Sequence, residues 1–425
     1  MKILVVSHNV FSRTNNMGKT MASYFENADG VELAQFYIHS EVPVDPVCKN
    51  YYRITDKEAI KSIFTRKSGR IFGESDVKTD LEDSRTDTGS TARLYQKARK
   101  RSPLIYFARN LWWGIGKWKT KKLLSWVDSF DPDAVFFASG DYAFMYKIAL
   151  KLAQYKNVPL AVSCMDDYYF YNKNADTIGG KLIHKRFMKQ VKKAMDYASC
   201  IFPICEKMGR EYGEYFGKPY YTLCTPSTVS EPMKFEKSGA ISYIGNIRYE
   251  RNSQLVAMGK ALKALDVPNK PEFIDVYSGE KDPELLSVLT EENGIKFHGS
   301  ISASKVLEVM GKSLAVIHTE AFDETMRQIV RYSVSTKIAD SLASGTPLLA
   351  YGPAEVASME YLIENEAAFC ATSENELPAV LAELISNSEK REKTVANAIA
   401  LAKKNHDSAR SGKMIKETLE EACKK

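Results

Sequence analysis

The chain has 425 residues, a formal net charge of +6 at pH 7, 44% hydrophobic residues and 26% charged ones. That length is more than one ordinary core holds and predicts two domains, while the charged fraction is that of a globular protein and not of a disordered one. No stretch reaches the roughly 20 apolar residues of a membrane span, and the seven cysteines have no paired or metal-like spacing, so no disulfide framework or metal site is expected.

The opening MKILVVSHNV has a short apolar run before its polar residues and reads as a first strand, not a signal peptide. VELAQFYI is the second strand, and DAVFFAS and PLAVSCM are two more, separated by the helical YAFMYKIALKLAQYK. KQVKKAMDYA is a helix and SCIFPIC another strand, in which Cys200 and Cys205 read as buried core. A reduced, cytosolic chain is the simplest account of such cysteines. Strands alternating with helices predict a doubly wound parallel sheet.

Behind the first strand, NNMGKT ends like a phosphate-binding P-loop. A true P-loop needs a glycine where this chain has Arg13. The loop lies beyond the carboxyl end of a strand, where open α/β sheets bind ligands. Asn16 and Gly18 are therefore expected to line a ligand, with Gly18 allowing close approach.

Residues 65–125 break the alternation and read as an insertion. From Thr88 to Val127 there is no acidic residue, ten Lys or Arg fall between Arg93 and Lys122, and all four tryptophans lie there or at its edge. Tryptophan favours the headgroup region and basic residues favour anionic lipid. Trp112, Trp113 and Trp118 are expected to meet an anionic membrane surface or its lipid-linked acceptor, and nucleic acid is not expected as a partner.

A turn-rich stretch at 224–240 separates a second alternating series: ISYIGNI, a helix near 252–264, EFIDVYSG, IKFHGSI, LAVIHT, STKIADSLASG and PLLAYG. The domains are expected at 1–228 and 239–404, with a helix over about 405–425 completing the first. In VRYSVSTKIADSLASGTPLLAYGP, Ser335 is a good N-cap and Gly345 a good C-terminal cap. The helix start offers backbone N–H groups, the hydroxyls of Ser335 and Thr336, and the Lys337 ammonium to an anion. Asp340, one turn on, can accept hydrogen bonds from a ribose diol.

This segment resembles GT-B nucleotide-sugar glycosyltransferases, and is similar to glycosyltransferase family 4 and to the bacterial capsule and lipopolysaccharide enzymes. Their Ser-x-Lys-x-x-Glu-Tyr-Leu-Ala-x-Gly-x-Pro pattern is met here by Ser335, Lys337, Asp340, Leu342, Ala343, Gly345 and Pro347, with Asp340 for Glu and Ser341 for Tyr. ISYIGNIRYERN resembles the family's Gly-Arg-Leu…Lys loop, with Gly245 and Arg251 in register, Asn246 at the Arg position and Arg248 able to stand in. The resemblance implies two Rossmann-like domains facing a cleft, with the last helix crossing back to the first. It implies a nucleotide-diphosphate sugar held by Gly245, Arg248, Arg251, Arg331, Ser335, Thr336, Lys337 and Asp340, with Glu320 and Glu324 near the sugar. It implies transfer with retention to a glycan or lipid-linked acceptor, with Asp141 or Asp166 as acid/base and neither cofactor nor metal. A GT-B epimerase and a non-enzymatic basic binding module are the alternatives.

Overall fold

The computed structural model describes residues 1–13, 16–65, 67–77, 103–172 and 177–424. The chain divides into two units, Met1–Cys224 with Ser408–Lys425, and Thr225–Asp407.

In the first unit, seven strands form one sheet: β1 Lys2–Ser7, β2 Glu32–Tyr37, β3 Tyr51–Arg53, β4 Arg70–Phe72, β5 Ala134–Ala138, β6 Leu160–Cys164 and β7 Cys200–Pro203. Their order is β4-β3-β2-β1-β5-β6-β7, parallel except for the antiparallel edge strand β4. The central strands are apolar runs because helices cover both faces; every residue of β5 and β6 is buried. The helices are α1 Asn16–Phe25, α2 Asp56–Thr65, α3 Pro103–Ile115, α4 Lys121–Phe130, α5 Ala143–Lys156, α6 Ile178–Tyr197 and α7 Glu206–Phe216. Residues 65–125 thus contribute β4, α3 and the start of α4, and the part of this stretch at 78–102 lies outside the described residues.

The second unit has β8 Ile241–Ile244, β9 Ile274–Tyr277, β10 Ile295–Gly299, β11 Ala315–Thr319, β12 Leu348–Tyr351 and β13 Phe369–Ala371, all parallel, in the order β10-β9-β8-β11-β12-β13. Its helices are α8 Arg251–Ala264, α9 Pro283–Leu286, α10 Ala303–Lys312, α11 Glu324–Val330, α12 Thr336–Ala343, α13 Ala357–Glu364, α14 Leu377–Ser386 and α15 Ser388–Asn405. The turn-rich segment expected as a linker belongs to this unit from Thr225 onward. It is pinned there by hydrogen bonds from Met233 N to Ser344 O at 2.8 Å and from Lys237 Nζ to Gly311 O at 2.8 Å and Thr346 Oγ1 at 2.9 Å. The last helix, α16 Ser408–Cys423, returns to the first unit, where Ile415 and Leu419 are buried in the cluster that holds Tyr24 and Phe25.

Candidate functional site

In the second unit the strand order reverses between β8 and β11. Such a switch point opens a crevice at the carboxyl ends of the strands. A cavity of ≈ 230 Å³ lies there, lined among others by Tyr243, Gly245, Arg251, His318, Ser335 and Lys337. α12 starts at its rim because Ser335 caps it, the hydroxyl accepting from Lys337 N at 3.4 Å, and it ends at Gly345, whose φ of 77° is the left-handed cap.

Three cationic or ionisable side chains meet at this cavity, in three different states. Arg251 opens α8 and reaches Glu320, just past β11, through Nη2 at 2.8 Å to both carboxylate oxygens and Nε at 3.1 Å. Glu320 is 1% exposed. Burial works against the Arg251 charge, and Glu320 outweighs it, so the guanidinium stays charged. His318 is pushed down to about 3, first by burial and then by Arg251, and is neutral; its Nε2 lies 2.9 Å from Ser358 Oγ. Lys337 is exposed over the residue as a whole, but its Nζ turns in to donate to Ile244 O at 2.7 Å. Desolvation of that ammonium, and then Arg251, push it down to about 8. Arg251 is thus neutralised by its own glutamate, while among the described residues the Lys337 ammonium donates to a carbonyl and pairs with no carboxylate. The cavity carries an unbalanced positive charge beside a helix N-terminus. Gly245 keeps the rim open: a Cβ there would stand 2.9 Å from the Tyr243 hydroxyl and 3.1 Å from Lys337 Nζ.

Other residues expected at the nucleotide lie elsewhere. Arg248 is exposed and forms a bidentate pair with Glu280, whose carboxyl is pulled down to about 2 by it. Arg331 lies over the Tyr332 ring at 4.7 Å, and neither arginine lines the cavity. Asp340 is engaged through one oxygen within its own unit. Its Oδ1 accepts from Thr228 N at 2.7 Å, Thr228 Oγ1 at 3.0 Å and Ser227 Oγ at 3.1 Å, so this oxygen holds the incoming segment. An aspartate is one carbon shorter than the glutamate of the motif it resembles, and its carboxylate meets Ser227 and Thr228. Glu324 is exposed on α11.

In the first unit, β1 sits at the corresponding switch point between β2 and β5. Asp141 follows β5 and Asp166 follows β6, so both stand at the carboxyl edge of the sheet. Asp166 is exposed and accepts from Tyr168 OH at 2.8 Å; Asp141 precedes α5, whose N-cap is Tyr142. Asn16 opens α1. The close approach at Gly18 is to the loop itself: a Cβ would lie 2.3 Å from Val10 O. This glycine lets α1 pack against Val10 and Ser12. Sequence reasoning missed a buried group in this unit. Arg109 donates to Asp56 Oδ1 and to His8 Nε2, both at 3.0 Å, and lies 4.1 Å from the Tyr142 ring centroid. These residues come from four distant segments, and no local spacing could have joined them.

The tryptophans divide. Trp112 is exposed, but Trp113 and Trp118 are buried in the core and cannot reach a membrane. Trp113 donates to Asp56 Oδ1 at 2.8 Å and stacks on Phe144 with centroids 4.8 Å apart. A tryptophan suited to headgroups is equally suited to a core that offers its N–H a partner.

No group of three or more potential ligands among the described residues could hold a metal ion, and no helix among them is long and apolar enough to cross a membrane.

Two doubly wound parallel sheets with a final helix returned to the first unit define the GT-B fold. Solved structures agree. HepE from Anabaena in complex with UDP matches with a TM-score of 0.61 at 12% identity over 99% of this chain and 100% of that one. Sucrose-phosphate synthase from Thermosynechococcus elongatus matches with a TM-score of 0.61 at 10% identity, over 99% and 98%. A trehalose-6-phosphate protein from E. coli bound with UDP-2-fluoro glucose matches with a TM-score of 0.61 at 9% identity, over 99% of each chain. Residues 265–416 match the family model described as glycosyl transferase-like. No curated protein matches the chain by sequence.

Proposed function

We propose that the protein is a glycosyltransferase of the family 4 kind. It takes a sugar from a nucleoside-diphosphate donor, UDP being the first to test, and transfers it to a glycan or lipid-linked acceptor. Transfer proceeds with retention, at the inner face of an anionic membrane, in the synthesis of a bacterial surface polysaccharide. The observation that carries this reading is the Lys337 ammonium, pushed down to about 8 and unopposed by a carboxylate, at the N-terminus of α12 in the switch-point cavity. A diphosphate supplies the missing negative charge. The glycosyl transferase-like match spans α12, and the HepE and E. coli structures named above hold UDP or a UDP sugar, which supports the same donor class.

As the glycosidic bond breaks, charge grows on the departing diphosphate. Lys337, Arg251 and the α12 amides are fixed before reaction, so they favour the transition state over the ground state. Ser335 and Thr336 add hydroxyl donors, and Gly245 leaves room for the phosphates. Asp141 and Asp166 are the candidates for proton transfer, and no cofactor or metal is invoked. The test is a thermal-shift panel of nucleoside diphosphates and their sugars, followed by donor turnover with glycan acceptors. UDP raises the melting temperature, and Lys337→Ala removes that rise and lowers turnover about 10²-fold or more. A panel in which no nucleoside diphosphate stabilises the protein overturns the proposal.

A further inference from the structure

We propose that α3, together with the first half of α6, forms the face that docks on an anionic lipid bilayer. This deepens the membrane part of the reading above and rests on it, but not on the donor cavity.

One side of α3 is fastened inward. Arg109 and Trp113, one turn apart, both bind Asp56 Oδ1, and Trp113 is buried against Phe144. The other side is left out in solvent. Phe107, Leu111 and Ile115 recur every four residues and are exposed, Ile115 by 54%, with Trp112 exposed beside them. This spacing makes one stripe on a helix. α6 packs against α3 and repeats the pattern, with Ile178 exposed by 89% and Leu182 also exposed. Single exposed apolar residues are ordinary, but exposed apolar residues at helical spacing on two packed helices are not.

The charges carried by α3, the segment after it and the first half of α6 have one sign. Lys117, Lys119, Lys121 and Lys122 follow α3, and Lys181, Lys185, Arg186 and Lys189 lie along α6, all exposed. No acidic residue occurs from Pro103 to Val127, and the one acid of α6 is Asp196, at its far end. Cationic rims around an apolar stripe complement anionic headgroups over hydrocarbon. Single-stranded nucleic acid favours rings for stacking. Four of the six exposed apolar side chains, Leu111, Ile115, Ile178 and Leu182, are aliphatic and favour hydrocarbon.

The experiment is flotation of the full chain with vesicles of phosphatidylcholine alone, or of equal parts phosphatidylcholine and phosphatidylglycerol. The wild type floats only with the phosphatidylglycerol vesicles and is released by salt. Leu111→Ser/Ile115→Ser and Lys181→Glu/Lys185→Glu each lower vesicle partitioning about tenfold or more. Because all four residues are exposed, both variants keep the wild-type circular dichroism, melting temperature and UDP-induced shift. A wild type that ignores both vesicles, variants that float like it, or a chain that retards single-stranded RNA and leaves vesicles alone would overturn the docking face. Salt-sensitive flotation in a protein that shows no UDP shift supports the face and overturns the donor reading alone.

Discussion

Replacing Glu320 by Gln tests the electrostatics of the switch-point cavity in the second unit. Glu320 is 1% exposed and Arg251 16%, and their contacts run between 2.8 and 3.1 Å. Glutamine keeps the shape, removes the charge and turns an amide N–H₂ toward guanidinium N–H groups. Breaking a buried pair by removing one partner costs about 3–5 kcal/mol. The remaining exposure of Arg251 lets water recover part of this, which sets the expected loss near 3 kcal/mol. In a domain of this size, that lowers the melting temperature of the second unit by about 6–12 °C. Calorimetry with urea unfolding reads it, and UDP restores part of the loss by bringing negative charge to the same guanidinium. The double variant Arg251→Met/Glu320→Leu removes both charges. It recovers most of the stability, because an apolar pair of similar volume needs no compensation, and it loses the UDP response. A Glu320→Gln protein that melts within about 2 °C of wild type would refute the reasoning. So would a double variant less stable than the single one, since charge balance could not then be what Glu320 supplies.

Lys337→Met removes a desolvated ammonium, so it leaves the melting temperature unchanged or higher while abolishing UDP binding; a thermal-shift titration reads both. The Lys337 group titrates near 8 in the folded chain against 10.5 as its ordinary value. Between these pH values the unfolded chain binds more protons, so stability rises with pH there relative to Lys337→Met, while wild-type UDP affinity falls as pH passes about 8. Asp340→Ala frees Ser227 and Thr228 and costs about 1–3 kcal/mol of stability. UDP affinity measured by calorimetry then changes by less than about threefold, whereas a ribose ligand would lose about tenfold or more. Gly245→Ala places a methyl against the flexible ends of Tyr243 and Lys337, so the fold is kept and the UDP shift shrinks.

The fold was readable wherever burial on both faces forced an unbroken apolar run. β1, β5, β6, β11 and β12 are such strands, and their helices announce themselves by period. β3 and β4 escaped because each has only three residues, and β4 lies at the sheet edge. A short edge strand needs neither apolar continuity nor alternation, so the approach to the basic segment read only as an insertion. The boundary near residue 230 slipped for another reason. Turn-rich composition marks where a chain leaves a sheet, but not which unit its side chains bind. Lys237 and Thr228 bind the second.

The site shows the same division between local and distant causes. Ser335, Lys337 and Gly345 follow from their neighbours: a cap, a first-turn cation and a left-handed stop, all within one helix. What the sequence could not show is which charges are already spent. Arg248 and Arg251 differ by three positions and look equivalent in the chain, yet one is held away by Glu280 and the other is drawn into the cavity by Glu320, thirty-two and sixty-nine residues on. Asp340 reads as a ribose ligand in the chain, and one of its oxygens is already held by Thr228, 112 positions away. A binding site is defined by the charge left over after the protein has satisfied itself. Among the described groups lining the switch-point cavity, that remainder is the ammonium of Lys337.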